Sequence, residues 1–169
     1  MLTIPAGLRT VAVIVGFLAG LFLVGAGVYT IYQGFAVEDD VGDALTDEKI
    51  FTAEDAAIPE EPVTDADTAR AQADVIREHL RTMLSESGIT DDSGQPITAC
   101  AQLPRTDDLP EDQRYLDGTC TKAISRITAL GLAEAAFGVS DLVKGFGALL
   151  IVVGLGTFAG FFVFQPRST

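Results

Sequence analysis

Histidine and tryptophan are the scarcest residues of this 169-residue chain, which has one histidine, His79, and no tryptophan. A non-haem iron site of the facial-triad type needs two histidines, and structural zinc needs four cysteine or histidine ligands. With two cysteines, the chain has only three residues of that kind. These scarcities argue against both metal sites, and a lone histidine is most often an ordinary surface or packing residue.

Motifs of catalysis and nucleotide binding are also missing, because the sequence contains no G-x-S-x-G, P-loop or dinucleotide fingerprint. Carboxylates are abundant, but none has the spacing and mid-loop glycine of an EF-hand calcium loop. We interpret acidic runs such as Glu38, Asp39, Asp40 and Asp43 as solvated charge, with weak calcium binding or a surface for a cationic partner as the alternative. We therefore predict a non-enzymatic protein without a cofactor or a metal site.

Charge is absent from two long stretches, residues 10–37 and residues 145–166. About 20 apolar residues suffice to cross the hydrocarbon core of a bilayer, so each stretch predicts a transmembrane helix. All 24 acidic residues lie between Glu38 and Asp141, and an acidic surface is unsuited to nucleic acid. The predicted fold class is a mainly α membrane protein: two transmembrane helices with an acidic, mostly helical extracytoplasmic domain between them.

The predicted domain organisation has three parts. Residues 1–35 form a cytoplasmic N-terminus and the first transmembrane helix, residues 36–138 the acidic domain, and residues 139–169 the second transmembrane helix and a short cytoplasmic C-terminus. Arg9 and Arg167 flank the apolar stretches, and the positive-inside rule then places both termini in the cytoplasm of a bacterial cell. The middle domain would lie in an oxidising compartment, where Cys100 and Cys120 are expected to form a disulfide.

The first apolar stretch has a competing interpretation as a cleavable signal peptide. Arg9, an apolar core over residues 11–23 and the small residues Val24, Gly25 and Ala26 resemble such a leader. The apolar run continues to Tyr32, which is longer than a typical leader core. We therefore expect an uncleaved signal anchor that ends near Tyr32.

The middle segment alternates between irregular and helical patterns. Residues 36–62 predict an irregular acidic arm, in which Ile50 and Phe51 form either a strand or an anchoring contact. An amphipathic helix is predicted from Thr64, with Asp67 in a capping box, to Gly88. After a loop, a helix from about Cys120 either continues unbroken into the second apolar stretch or kinks at glycines, namely Gly131 or Gly138.

Glycines on the apolar helices predict close contact between helix backbones, because packing drives helix association in lipid. The predicted packing glycines are Gly16, Gly20, Gly27, Gly156 and Gly160. On the first helix, Gly34 lies on the same face as Gly16, Gly20 and Gly27. On the second helix, Gly147 and Gly154 lie on the face opposite to Gly156 and Gly160. We expect these faces to contact other integral membrane subunits and the lipid bilayer, although glycine is also simply common in membrane helices.

Asp141 and Lys144 are the charges nearest the start of the second apolar stretch, at a spacing that allows them to pair on one helix face. We predict a membrane-edge ion pair in which Lys144 extends towards the interface. In the alternative, the helix sits deeper and the pair becomes an intramembrane ion or proton element.

Three segments resemble an actinobacterial family of small two-helix membrane proteins. They are AQADVIREHL at residues 71–80, FGVSDLVKGFGALLIVVG at residues 137–154 and AVED at residues 36–39. Members of this family commonly carry the label aromatic ring-opening dioxygenase, which does not suit a chain with one histidine. The resemblance implies two membrane helices and no established activity.

These patterns predict a non-catalytic accessory or scaffold subunit of a larger bacterial membrane complex, with a respiratory or transport assembly as the host. The alternative is a homo-oligomeric channel or transport element that uses Asp141 and Lys144. An enzyme acting through the acidic residues is disfavoured, because no carboxylate pair has a companion base or metal set.

Overall fold

The computed structural model describes residues 6–163, which are mainly α-helical and, in this range, contain no β-strand. The helices are α1 (Ala6–Asp47), α2 (Ala66–Glu86) and α3 (Tyr115–Val163). Three short 3₁₀ turns lie between α2 and α3. The chain divides into two compact units: unit 1 comprises Met1–Asp39 and Gly138–Thr169, and unit 2 comprises Asp40–Phe137.

Two helical segments are long and apolar enough to cross a membrane by length and composition: Thr10–Asp47 within α1, and Glu111–Gly160, which covers the last 3₁₀ turn and most of α3. Large hydrophobic side chains are exposed mostly in unit 1, which has 19 of the 23 found among the described residues. A mainly helical fold with two candidate membrane spans is thus confirmed. Arg167, one of the two cations used to predict the orientation, lies outside the described residues.

The helix α1 extends to Asp47, so the prediction of an irregular arm from residue 36 was wrong for its first twelve residues. Val41 and Leu45 lie one helical turn apart and pack against the apolar cluster of unit 2, which includes Leu130 and Phe137. Asp43, which lies between them, is exposed. The extension therefore has an amphipathic pattern that the many carboxylates obscure.

The segment after α1 is extended and pairs with the residues before α2. The Thr52 N–H donates to the Glu61 carbonyl at 2.8 Å, and the Val63 N–H donates to the Ile50 carbonyl at 3.0 Å. Phe51 makes only an isolated bridge with Pro62, whereas Ile50 packs against the apolar cluster. Of the two predicted possibilities, the anchoring contact of Ile50 is the one that the structure contains.

The helix α2 begins one residue later than predicted, because its N-cap is Asp65. The Asp65 carboxylate accepts a 2.8 Å hydrogen bond from the Thr68 N–H, and the Thr68 hydroxyl reaches back to the Asp65 N–H at 3.2 Å. This reciprocal pair satisfies donors that the helix start leaves without a partner. At the other end, Gly88 has a φ of +77°, a conformation that glycine adopts readily.

The helix α3 begins at Tyr115, about five residues earlier than predicted, and continues through Gly131 and Gly138 without a break. The unbroken alternative is therefore the one observed. Near its start, Cys120 is joined to Cys100 by a disulfide with a Cα–Cα distance of 5.7 Å. The pair packs in a small apolar cluster with Leu84 and Ile97.

Replacing both cysteines with serine is expected to destabilise unit 2 by about 3 kcal/mol, because the open loop regains conformational freedom in the unfolded chain. The loss should appear as a lower midpoint in urea unfolding of the full chain in detergent. Mass spectrometry of non-reduced peptides provides the direct check. Finding two free thiols in protein isolated from the cell would contradict the predicted disulfide and weaken the predicted outside location.

Candidate functional site

The antiparallel contact between α1 and α3 in unit 1 is built from small residues spaced seven apart. On α1 these residues are Gly20, Gly27 and Gly34, and on α3 they are Ser140, Gly147 and Gly154. Seven residues make two full turns when a helix has 3.5 residues per turn. Residues spaced seven apart therefore stay on the face that contacts the partner helix. We call this contact the glycine seam.

The helices approach so closely at the seam that a methyl group has no room. A Cβ atom added to Gly27 would lie 2.5 Å from the Gly147 carbonyl oxygen, and one added to Gly147 would lie 2.7 Å from the Gly27 carbonyl oxygen. At the next step, a Cβ on Gly154 would lie 2.9 Å from the Gly20 carbonyl oxygen. A backbone carbonyl oxygen, together with a side-chain carbon of Ile151, Ile31 or Val24, obstructs the added Cβ at each of these three positions, so glycine is required for this separation of the helices.

At the third pair of the seam, Gly34 and Ser140, a serine stands where the other pairs have a glycine, and it forms a hydrogen bond. The Ser140 hydroxyl is buried and donates to the Gly34 carbonyl oxygen at 2.6 Å. Because that carbonyl lies within α1, the bond joins the two helices directly. A polar contact of this type fixes the alignment of the helices along their length, which apolar packing alone specifies less well.

Beside this step lies an ion cluster of Lys144, Glu38 and Asp141. The Lys144 ammonium is 2.5 Å from a Glu38 carboxylate oxygen and 2.8 Å from an Asp141 carboxylate oxygen. It also lies 4.8 Å from the centre of the Phe35 ring, a cation–π distance. The Lys144 side chain is only 18% exposed and that of Glu38 33%, whereas that of Asp141 is 72% exposed.

The cluster marks the end of the uncharged part of both helices. Glu38 of α1 is the first charged residue after the uncharged residues 10–37, and Lys144 of α3 is the last one before the uncharged sequence stretch 145–166. The Glu38–Lys144 bond therefore joins α1 to α3 where their apolar stretches end. A half-buried charge is costly unless an opposite charge lies beside it, so this pair favours the alignment of α1 and α3 in which Glu38 meets Lys144. We call the Glu38–Lys144 pair the clamp.

Two threonine hydroxyls within the apolar stretches donate to carbonyls of their own helix. The Thr30 hydroxyl donates to the Ala26 carbonyl at 2.7 Å, and the Thr157 hydroxyl donates to the Val153 carbonyl at 2.9 Å. Phe17 and Phe158 meet edge to face near the other end of the seam, with ring centres 5.2 Å apart. Polar atoms bonded in this way are compatible with an apolar surrounding.

The predicted packing glycines separate into two groups in the structure. Gly20 and Gly27 lie in the seam, and Gly16 is half-buried. A Cβ added to Gly156 or Gly160 would meet nothing within 4 Å, so these two glycines are not part of the seam. Their predicted contact with another subunit stays a prediction.

Two residues of the site were not identified from the sequence. Ser140 was overlooked because only glycines were considered, although it continues the spacing of Gly147 and Gly154. Glu38 was interpreted as solvated charge because α1 was expected to end near Tyr32. The structure instead places Glu38 on α1, facing Lys144. The seven-residue spacing of small residues is the signal that would have found the seam.

Outside this region, His79 is exposed, with its Nε2 atom 2.6 Å from an Asp55 carboxylate oxygen. Within residues 6–163, no group of three or more histidine, cysteine or acidic residues is placed to hold a metal ion. The chain matches no family model, no curated protein and no solved structure at a significant level. The glycine seam and its ion cluster are therefore the best-defined candidate site, and their chemistry is that of helix association.

Proposed function

We propose that this chain is a two-span bacterial membrane protein in which α1 and α3 form a hairpin across the bilayer. The support is the apolar surface of unit 1. Most of the exposed large hydrophobic side chains belong to this unit, although α1 and α3 contact each other along the seam. Such a surface is suited to lipid tails or to other membrane helices. The ion cluster at the end of both uncharged stretches suits the interfacial region, where a lysine side chain can reach water.

In this proposal both termini are cytoplasmic and unit 2 lies outside the cytoplasm. Unit 2 contains 21 of the chain's 24 acidic residues but only eight of its 11 basic residues. The cysteine pair at disulfide distance lies in the same unit, which suits an oxidising compartment. The resemblance to small two-helix membrane proteins is compatible with this arrangement.

The function that we propose is that of a non-catalytic accessory or scaffold subunit of a larger membrane complex, respiratory or transport in kind. The observation that carries this proposal is the division of the glycines of α3. Gly147 and Gly154 are used by the hairpin, whereas Gly156 and Gly160 leave open space on the helix surface. An open small-residue face on a helix that already has its intramolecular partner suits contact with a further helix.

The channel alternative has less support. It requires Asp141 and Lys144 to serve an ion path, yet the Lys144 ammonium lies between two carboxylates and next to an aromatic ring. Removing a cation from such a position leaves half-buried Glu38 without compensation, which opposes motion during transport. The cluster is better suited to a fixed structural role.

The test is to purify the tagged protein from native membranes in mild detergent and to identify the proteins that copurify in stoichiometric amounts. We expect large integral membrane subunits, and we expect them to be lost in Gly156→Leu/Gly160→Leu. Gly118→Leu is the control, because Gly118 also has open space around it but lies in unit 2. A lone homo-oligomer would contradict the proposal; liposome conductance that Asp141→Asn abolishes would then establish the channel.

A further inference from the structure

Unit 2 contains a half-open cleft of about 340 Å³ that the proposed function does not use. Its walls come from the end of α1, the segment that follows it, the middle of α2 and the part of α3 that belongs to unit 2. The apolar residues that line it are Leu45, Ile50, Phe51, Ile76, Ala129 and Leu130. Small-molecule sites have this character, with an apolar lining and volumes from about 300 Å³ upwards.

The cleft combines this apolar lining with two cations that have no carboxylate partner. Lys49 and Arg126 both line it, and neither forms an ion pair with any residue of the described range. Of the other six cations of unit 2, Arg70, Arg77 and Arg81 pair with acidic residues of the unit, and the remaining three have no ion pair in the described range. Two unpaired cations on one apolar cleft of an acidic unit thus offer charge complementarity to an anion.

The backbone at Lys49 provides an independent observation. Lys49 follows the end of α1 in the left-handed region, with a φ of +52°, where glycine is the usual residue. The Ile50 N–H donates to the Leu45 carbonyl at 3.1 Å and the Lys49 N–H to the Thr46 carbonyl at 2.9 Å, so the turn is a complete glycine-type helix cap. Lysine is less favourable than glycine in this backbone conformation, and the turn places Lys49 at the cleft.

We propose that this cleft binds a medium-chain carboxylate, with the alkyl part against Leu45, Ile76 and Leu130 and the carboxylate between Lys49 and Arg126. Glu48 also lines the cleft, so its three charged residues sum to one positive charge. That charge matches a monoanion better than a doubly charged phosphate monoester. The planar guanidinium of Arg126 suits a carboxylate because it can donate two parallel hydrogen bonds. The site lies within unit 2 and does not rest on the proposed scaffold function.

The probe is 6,6,6-trifluorohexanoate, which is short enough to remain largely in water, added to the full chain in lipid nanodiscs. Its ¹⁹F signal is expected to broaden with protein present and to stay sharp with empty nanodiscs. Arg126→Gln should weaken binding by at least about tenfold, because it removes the charge and the hydrogen bonds that the guanidinium donates to the carboxylate. Lys122→Gln should leave binding unchanged, because Lys122 lies outside the cleft and likewise has no ion pair in the described range.

The variant Lys49→Gly separates ligand recognition from folding. Glycine suits the left-handed turn, so this variant should melt at a higher temperature than the unaltered protein while binding the probe more weakly. A purely structural role for Lys49 predicts no loss of binding. Loss of binding in a protein that has become more stable cannot be attributed to unfolding.

Three results would overturn the proposal. One is the absence of any broadening at millimolar probe. Another is equal binding of hexanol and hexanoate in competition with the probe, which would mean that the charge is not recognised. The third is tighter competition by hexyl phosphate than by hexanoate, which would assign the cleft to a phosphate-bearing ligand. Competition by hexanoate but not by acetate would support the alkyl contact with the apolar lining.

Discussion

Replacing Gly27 with alanine is expected to lower the melting temperature of the protein, whereas the same change at Gly156 is expected to leave it unchanged or raise it. At Gly27 the new Cβ atom would lie 2.5 Å from the Gly147 carbonyl oxygen, so the helices must separate. Overpacking of this kind costs about 1–3 kcal/mol. At Gly156 the methyl group meets nothing within 4 Å, and alanine favours a helix over glycine by about 0.5–1 kcal/mol.

Thermal unfolding followed by far-ultraviolet circular dichroism in mild detergent measures both variants under one condition. A second pair of variants makes the test more specific. Gly147→Ala should behave like Gly27→Ala, because its Cβ would lie 2.7 Å from the Gly27 carbonyl oxygen. The double variant should lose less than the two single losses together, because both methyl groups separate the same contact. Equal melting temperatures for Gly27→Ala and Gly156→Ala would contradict the seam.

The two apolar helices and the amphipathic α2 could be predicted because each depends on a pattern within one segment. An uncharged stretch of more than twenty residues and an apolar face at helical spacing require no knowledge of the rest of the chain. The pairing of α1 with α3 is different in kind, since it depends on which of two glycine faces on α3 meets α1. That choice is made by contacts more than a hundred residues apart in sequence, such as Ser140 to Gly34.

The extension of α1 is a second feature that could not be predicted from the sequence alone. Residues 38–47 contain five carboxylates, and a segment with so much charge of one sign is usually interpreted as an exposed arm. It is helical because Val41 and Leu45 pack against the apolar cluster of unit 2, whose members lie far away in sequence. Once the helix continues, Glu38 faces Lys144. Because the extension of α1 was not predicted, neither the helical fold of this segment nor the role of Glu38 in the ion cluster could be predicted.

Replacing Lys144 with methionine is expected to lower the melting temperature of the protein, because it leaves Glu38 charged, half-buried and without a partner. Methionine keeps an unbranched, apolar side chain, so the change chiefly removes the charge. Asp141→Asn is the matched control. Its carboxylate bonds to the same ammonium but is 72% exposed, and ion pairs of exposed carboxylates contribute at most about 1 kcal/mol.

The decisive variant is Glu38→Gln combined with Lys144→Met, which removes both charges of the half-buried pair. If the clamp is a true pair, the double variant should unfold at a higher temperature than Lys144→Met alone, since no uncompensated charge remains. If Lys144 acts only through its alkyl chain and Phe35, Lys144→Met should be nearly neutral and Glu38→Gln should not alter its effect. The first result would establish that the charges at the ends of the apolar stretches specify how α1 and α3 align. The second would leave that alignment to the glycine seam and the Ser140 hydrogen bond alone.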